Sequence, residues 1–235
     1  MATKKTTYEV KHLYDEEYFS KHKKGYQNLS QVYKFRLSHI FNVLGPVEGN
    51  KVLDLGCGMG TLSFECAKKG ADVYGLDYAE SAIKNAKEIG NKLGLNINFK
   101  VGDSAKMPYK DDFFDKIICA DFTEHLDIET LRKSLKECYR VLKPRGKIIL
   151  FTPSPTHIIE RLKKRNWILK EDPAHIGLMR MKYLKFFIRE AGFRIKMSMH
   201  LPTHFYFINM LEEILISMPF IGSFFRRRIS ILAIK

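Results

Sequence analysis

The chain has 235 residues, 45% of them hydrophobic and 28% charged, which is enough for one globular domain with a sizeable core. A formal net charge of +14 favours acidic substrates, lipid headgroups or nucleic acid over cationic partners. The first residues do not resemble a secretory signal, and no apolar run is long enough to span a bilayer, so we expect a cytoplasmic protein.

Residues 14–44 form the first predicted helical region. Its aromatic front is followed by an apolar stripe, and Gly45-Pro46 ends it. We predict that residues 1–48 form a helical lid over a ligand site, with simple packing on a sheet as the alternative. Arg36 lies on this helix and is either an anion ligand or a solvated charge.

A glycine-rich turn follows the first predicted strand, Lys51 to Leu55. Gly56, Gly58 and Gly60 precede a predicted helix at 61–69, so backbone N–H groups and a positive helix end are presented to a ligand. The G-x-G-x-x-G form of dinucleotide folds is absent because Thr61 stands at the third glycine position. Phosphate binding of the Walker type is excluded because no Gly-Lys-Ser/Thr follows.

The next segments alternate between strands and helices, which predicts a parallel sheet with right-handed crossovers. The predicted strands are 73–77, 96–101, 114–120 and 147–151; the predicted helices are 81–93 and 131–142; residues 143–146 are a predicted turn. Asp77, Asp103 and Asp121 each follow a strand end, where ligands bind in such sheets. Asp77 lies 21 positions after Gly56, near the offset of about 20 residues at which a carboxylate meets ribose hydroxyls, although it could instead cap the next helix.

The C-terminal third carries most of the net positive charge, with 15 basic and 6 acidic side chains in residues 151–235. We predict a helix at 181–191 and strands at 193–199 and 228–235. The segment 205–221 is apolar around most of its circumference, so it is core, a substrate tunnel or an interfacial helix. The arginines at 226–228 favour contact of residues 205–228 with an anionic membrane surface.

Together, these motifs resemble the class I S-adenosylmethionine (SAM) methyltransferases, in the branch of quinone O-methyltransferases and small-molecule methyltransferases. The residues that carry the resemblance are 52–60, 75–77, 102–103, 121–125 and 142–146. It implies one α/β domain over residues 1–235, with a Rossmann-like, seven-stranded, mostly parallel sheet, an antiparallel edge strand, helices on both faces and the N-terminal helical lid. Residues 49–151 would be the SAM-binding core, and residues 152–235 the substrate side and a C-terminal strand hairpin.

The resemblance also implies roles for individual residues. Gly56 and Gly58 would line the methionine part of SAM, with Cys57 between them, and Asp54 would order the amino group. Asp77 would hold the ribose with Tyr78 near the adenine, Asp103 would accept from the adenine amine beside Ser104, and Asp121 would contact the amino end of the methionine. The product would be S-adenosylhomocysteine (SAH).

Glu124 and His125 are the predicted catalytic pair, because they follow the fourth strand beside the methyl position and can take a proton from a phenol or alcohol. A Mg²⁺ or Mn²⁺ site formed by Asp121, Glu124, His125 and His175 is the alternative, similar to the acidic-x-x-Glu-His pattern of metal-dependent O-methyltransferases, which usually carry Glu at the Asp121 position. A structural role for the Glu124-His125 pair also stays open.

We predict O-methylation of a small-molecule or lipid-like acceptor. The alternatives are N- or C-methylation of a small molecule and a non-catalytic SAM-binding or nucleic-acid-binding protein. Nucleic acid is disfavoured because aromatic and basic residues are not interleaved. An NAD-linked oxidoreductase is disfavoured by Thr61 and by the aspartates at 103 and 121.

Overall fold

The computed structural model describes residues 5–10, 13, 31–164, 172–202, 214–216, 218 and 222–235. The helices are α1 (Gln31–Leu44), α2 (Thr61–Lys68), α3 (Glu80–Lys92), α4 (Ile128–Val141), α5 (Ile158–Lys164) and α6 (Met181–Glu190). The strands are β1 (Lys51–Leu55), β2 (Asp72–Asp77), β3 (Asn98–Val101), β4 (Phe114–Ala120), β5 (Leu142–Pro153), β6 (Arg194–Leu201) and β7 (Arg228–Ile234). Short 3₁₀ turns cover Thr123–His125 and Gly222–Phe224.

The strands form one sheet in the order β3-β2-β1-β4-β5-β7-β6. The five strands from β3 to β5 are parallel, whereas β7 runs antiparallel to both β5 and β6. The predicted seven-stranded, mostly parallel sheet with an antiparallel pair at one edge is therefore confirmed. The antiparallel strand is β7, which lies one position inside the edge strand β6.

Consecutive residues of the central strands pack into different clusters on the two faces of the sheet. Leu53 and Ile117 join a cluster with α4 and α6, while Val52 and Ile118 join a second cluster with α1 and α2. Strands buried on both faces read as continuous apolar runs, which is why the sequence of β4 shows no polar alternation. All four cysteines are buried, and none forms a disulfide bond.

Two boundaries within the described residues differ from the sequence prediction by three residues or more. The predicted turn at 143–146 is a bulge inside β5, because Leu142 pairs with Phe114 and Lys147 already pairs with Lys116. The first turn of α4 begins at Ile128, three residues before the predicted start. Asp127 is its N-cap and accepts a hydrogen bond from the Thr130 amide at 3.0 Å.

Helix α1 packs against the sheet, and one end of it reaches the ligand side. Leu37, Ile40 and Leu44 are buried in the cluster that includes β1, β4 and β5, as the alternative to the lid predicted. Two other residues of α1, Tyr33 and Arg36, line a cavity at the carboxyl ends of the parallel strands. The predicted helical residues 14–30 lie outside the described residues.

Most of the apolar segment at 205–221 also lies outside the described residues, which include only 214–216 and 218 of it. Within the part of the chain that the structure describes, no helix has both the length and the apolar character needed to cross a bilayer.

Candidate active site

A cavity of about 570 Å³ lies at the carboxyl ends of β1, β2 and β4. The predicted cofactor-binding residues all line it: Asp54, Gly56, Cys57, Gly58, Asp77, Tyr78, Asp103, Ser104 and Asp121. Glu124, His125 and His175 line it as well. The structure therefore brings every predicted site residue to one cavity, and their individual roles remain predictions.

The glycine turn is bound closely to the neighbouring strand. Gly56 has φ +71° and donates its N–H to the Leu76 carbonyl of β2 at 2.8 Å. A Cβ at Gly56 would collide with the ring of Phe122, whereas a Cβ at Gly58 would meet nothing within 4 Å. The turn thus needs glycine at position 56 for packing, while at position 58 it leaves open space beside the cavity.

Asp77 accepts hydrogen bonds from two backbone amides. Its Oδ2 accepts from Gly58 at 2.9 Å and its Oδ1 accepts from Ala79 at 2.9 Å. The second contact is the local helix-start interaction that the sequence left open. Each carboxylate oxygen has a further lone pair, so the same side chain can also accept from a ligand diol. Burial raises the pKa of Asp77, and the two amides oppose that shift.

Asp54 is buried on β1, where it is held by a residue of the helix that follows the glycine turn. The hydroxyl of Ser63 on α2 donates to its Oδ2 at 2.6 Å. Burial raises the pKa of Asp54 to about 6, against the opposing effects of Ser63 and Arg36. A cation bound beside Asp54 would lower this pKa and favour the ionised carboxylate.

Asp103 and Ser104 form the wall beyond β3. The Oδ1 of Asp103 accepts from the Ala105 amide at 2.8 Å, and its Oδ2 accepts from the Tyr8 hydroxyl at 2.8 Å. The hydroxyl of Ser104 is hydrogen-bonded to Ser134 on α4 at 2.7 Å. Both residues still line the cavity.

Asp121 forms ion pairs with two arginines, Arg36 on α1 and Arg228 at the start of β7. One guanidinium contacts each carboxylate oxygen. Burial alone would raise the pKa of Asp121, but Arg228 and Arg36 together lower it. The interpretation of Arg36 as a solvated helix charge is therefore wrong.

Glu124 and His125 lie in the 3₁₀ turn after β4. Glu124 is 1% exposed and its Oε2 accepts from the Thr152 hydroxyl at 2.9 Å. Burial raises the pKa of Glu124 to about 7, and Asp121 adds to that shift. The Nδ1 of His125 is 3.2 Å from the Ala174 carbonyl, which can only accept. We therefore assign the hydrogen to Nδ1 and the lone pair to Nε2.

Glu124, His125 and His175 each offer a ligand atom within 4.8 Å of the others. Burial lowers the pKa of both histidines, which keeps the imidazoles neutral as metal binding or proton acceptance requires. Two imidazoles and one carboxylate suit Mn²⁺, Fe²⁺ or Zn²⁺ better than Mg²⁺. Asp121 lies outside this group of three, and the four-residue metal set remains a prediction.

Sequence reasoning missed Thr7, Tyr8 and Arg228, which also line the cavity. For Arg228 a signal existed. It opens the strand predicted to be antiparallel, and the amino end of an antiparallel strand lies beside the carboxyl ends of its parallel neighbours. The segment containing Thr7 and Tyr8 has no comparable signal, because its contacts are with residues about 95 to 120 positions away.

The charges divide the cavity into chemically distinct parts. Carboxylates at Asp54, Asp77 and Asp103 can accept from hydroxyl, amine and ammonium groups, while Arg36 and Arg228 can bind an anion. Glu124, with a pKa of about 7, can exchange a proton near neutral pH, and neutral His125 can accept one. The site is therefore suited to a zwitterionic nucleoside ligand and to a reaction that removes a proton.

Comparison with known proteins gives one family match and several relatives. The profile of the family described as a methyltransferase domain matches residues 46–192. A ubiquinone biosynthesis O-methyltransferase of Coxiella burnetii is 38% identical over 106 residues, which are 45% of this chain and 44% of that protein. Phosphoethanolamine N-methyltransferase 3 of Arabidopsis thaliana is 35% identical over 153 residues, 62% of this chain and 29% of that protein. The chain thus matches less than half the length of these curated relatives.

Among solved structures, a SAM-dependent methyltransferase from Archaeoglobus fulgidus superposes with a TM-score of 0.70. It is 24% identical, and the alignment covers 93% of this chain and 99% of that one. At this identity the likeness establishes the Rossmann-like fold.

Replacing Gly56 with alanine should destabilise the protein more than replacing Gly94 with alanine. The two glycines have similar positive φ angles, +71° and +67°, so both substitutions strain the backbone by about 1–2 kcal/mol. Only the Gly56 methyl would strike a neighbouring ring. We expect denaturant unfolding to show an additional loss of about 1–3 kcal/mol for G56A. Equal losses for G56A and G94A would contradict the packing role of Gly56.

Asp54→Asn should change how stability depends on pH. The pKa of Asp54 is about 6 in the fold, above its ordinary value of 3.8, so the ionisation of this one group lowers the stability of the wild type as pH rises from about 4 to 6. The amide that replaces the carboxyl group does not ionise, so the stability of the variant relative to wild type should rise by about 2–3 kcal/mol over that interval. Urea unfolding of the ligand-free protein at several pH values measures this difference. Parallel pH profiles would show that the pKa of Asp54 is not perturbed.

Proposed function

The chain belongs to the methyltransferase domain family, and we propose that it transfers the methyl group of SAM to an oxygen atom of a small-molecule or lipid-like acceptor. The observation that carries this proposal is the gathering of the predicted ribose, adenine and methionine ligands around one cavity with His125 and Glu124. The O-methyltransferase relative supports oxygen as the methylated atom.

In this proposal the adenosine part of SAM lies between Asp77 and Asp103. Asp77 accepts from both ribose hydroxyls, and Asp103 accepts from the adenine amine, with Tyr78 beside the base. The methionine part follows the turn at Gly56 and Gly58, where Arg36 binds its carboxylate and Asp54 stabilises its ammonium group. The arginine pairing of Asp121 supports a less direct role for that carboxylate, as a group that holds Arg36 and Arg228 in place.

Methyl transfer from a sulfonium requires orientation more than activation. The acceptor oxygen attacks the methyl carbon in line as the carbon–sulfur bond breaks, and SAH leaves with the sulfur lone pair. Holding the two reactants in that geometry can lower the barrier by about 7–11 kcal/mol. The cavity reaches Pro153, His175 and Arg228 on the side opposite Asp103, and we assign that side to the acceptor.

His125 is our candidate for the proton acceptor. The hydrogen bond from Nδ1 to the Ala174 carbonyl fixes the ring and leaves the lone pair on Nε2. Burial keeps the ring neutral at physiological pH, as a general base must be. Glu124 lies beside it and is held by Thr152, so it can stabilise the imidazolium that forms.

A divalent metal is the alternative use of the same residues. The donor set of Glu124, His125 and His175 fits a transition-metal ion, and such an ion would lower the pKa of an acceptor hydroxyl. The two mechanisms can be distinguished, because activity that depends on a metal should require His175 and should be lost when the metal is chelated.

The source of the acceptor and the atom that is methylated are two further parts of the proposal. The basic C-terminal third supports contact of residues 205–228 with an anionic membrane surface from which a lipid-like acceptor could be drawn. The relative that methylates nitrogen, phosphoethanolamine N-methyltransferase 3, favours N-methylation as the second candidate.

Calorimetric titration should detect SAM and SAH binding and no binding of NAD. Asp77→Asn should weaken SAM binding at least tenfold because one charged acceptor for the ribose is lost. Asp72→Asn is the matched control. It lies at the other end of β2, pairs with Lys51 and should leave SAM affinity within twofold of wild type. Binding of NAD in place of SAM, or equal effects of the two variants, would overturn the proposed cofactor site.

Labelled-methyl assays with catechol and hydroquinone as probes should separate the base from the metal. If His125 is the base, transfer survives dialysis against EDTA and falls about 100-fold in His125→Gln, whereas His200→Gln on β6 retains wild-type activity. Loss of activity after chelation, with recovery on adding Mn²⁺ and none in His175→Gln, would replace the base with the metal. No transfer to either diphenol would argue against a phenolic acceptor.

A further inference from the structure

The short segment 5–10 is joined to the cavity by a reciprocal set of hydrogen bonds. Thr7 donates its backbone N–H and its hydroxyl to Oδ2 of Asp127, at 2.9 and 2.8 Å. The Asp127 amide in turn donates to the Thr7 hydroxyl at 2.8 Å. Thr7 is 8% exposed and the nearby Val10 is 1% exposed, so both side chains pack against the rest of the protein.

The anchor residue Asp127 is itself fixed. Its Oδ1 accepts from the Thr130 amide at the start of α4, and its Oδ2 accepts from the Thr130 hydroxyl. Burial opposes ionisation, but the hydrogen bonds from Thr130 and Thr7 hold the pKa of Asp127 well below its ordinary value. The Thr7 contacts are therefore charge-assisted, which makes them stronger than hydrogen bonds between neutral groups.

The next residue, Tyr8, reaches the proposed adenine ligand. Its hydroxyl donates to Oδ2 of Asp103 at 2.8 Å, while Oδ1 of Asp103 accepts from the Ala105 amide. The hydrogen bond to Asp103 raises the pKa of Tyr8, which keeps the hydroxyl protonated as a donor. Thr7 and Tyr8 line the cavity together with Asp103, Ser104 and Thr130.

We propose that Thr7 and Tyr8 are cofactor-positioning residues, which make residues 5–10 a wall of the adenosine half of the cavity. Tyr8 holds the Asp103 carboxylate in the orientation that accepts from the adenine amine, and Thr7 fixes this wall to the first turn of α4. An aligned carboxylate loses less freedom when the base binds, so the two hydroxyls raise cofactor affinity. This inference rests on the proposed function, because it takes the nucleoside to be that of SAM.

A purely structural role for the segment would affect stability without changing affinity. The distinction is measurable, because the segment contains two adjacent threonines with different contacts. The Thr7 hydroxyl bonds to Asp127, 120 positions away, whereas the Thr6 hydroxyl accepts a local bond from the Glu9 amide at 3.3 Å. Thr6→Val is thus the matched control for Thr7→Val.

The experiment compares the dissociation constants of SAM and SAH by calorimetry in the full chain. Thr7→Val should raise both constants about tenfold and Tyr8→Phe about fivefold, as expected for the loss of one or two hydrogen bonds. Thr7→Ser keeps the hydroxyl and should restore affinity to within twofold of wild type. Thr6→Val, and Tyr183→Phe at a half-exposed tyrosine of α6, should leave both constants unchanged.

The melting temperature without cofactor provides the second measurement. Tyr8→Phe removes one bond of an exposed side chain and should lower the melting temperature by less than about 2 °C, whereas Thr7→Val removes bonds to a charged group and should lower it by several degrees. In both variants, a smaller rise on adding SAH than in wild type supports the positioning role, because a purely structural loss leaves that rise unchanged. Wild-type affinities in both variants would overturn the inference while leaving the proposed function intact. Failure of the wild-type protein to bind SAM or SAH would overturn the proposed function and this inference with it.

Discussion

The hydrogen bond from the Gly58 amide to the Asp77 carboxylate is the interaction on which the site depends. It joins the glycine turn after β1 to the end of β2, so two strand ends hold one ligand surface. This hydrogen bond also restricts which residue types can occupy positions 58 and 77. A backbone in the left-handed region is needed at Gly58, and an acceptor with spare lone pairs is needed at position 77. The carboxylates of Asp54 and Asp103 lie on either side of this contact and extend the surface along the same edge of the sheet.

Two arginines neutralise the negative charge that Asp121 brings to the cavity. Taken from the sequence, Asp121 is one more acidic group facing a cationic cofactor. In the fold it is the shared anion between Arg36 of α1 and Arg228 of β7, two elements from opposite ends of the described chain. The possible metal ligands nearby are Glu124, His125 and His175, and both oxygens of Asp121 are occupied by the two arginines.

The parts of the fold that could be predicted are those in which local pattern and tertiary environment agree. β1 and β4 have the predicted bounds because apolar runs between turn residues specify buried parallel strands. The Lys143-Pro144-Arg145-Gly146 segment has the composition of a turn and becomes a bulge in β5, because pairing with β4 resumes at Lys147. The proposed nucleoside ligands Asp77 and Asp103 follow strand ends, and their position beside the cavity was predictable from topology. Thr7 and Tyr8 were not, since nothing local in residues 5–10 indicates contacts with Asp127 and Asp103.

The position of β7 between β5 and β6 has a consequence for the order of assembly. β6 is made before β7 on the ribosome, yet within the described sheet its only strand partner is β7. The parallel strands from β1 to β5 can therefore pair as they emerge, whereas β6 keeps an unpaired edge until β7 is made. Because Arg228 is the first residue of that strand, the guanidinium that completes the Asp121 pair arrives last. Nascent chains stalled before residue 228 should thus expose the edges of both β5 and β6, which β7 covers in the complete sheet.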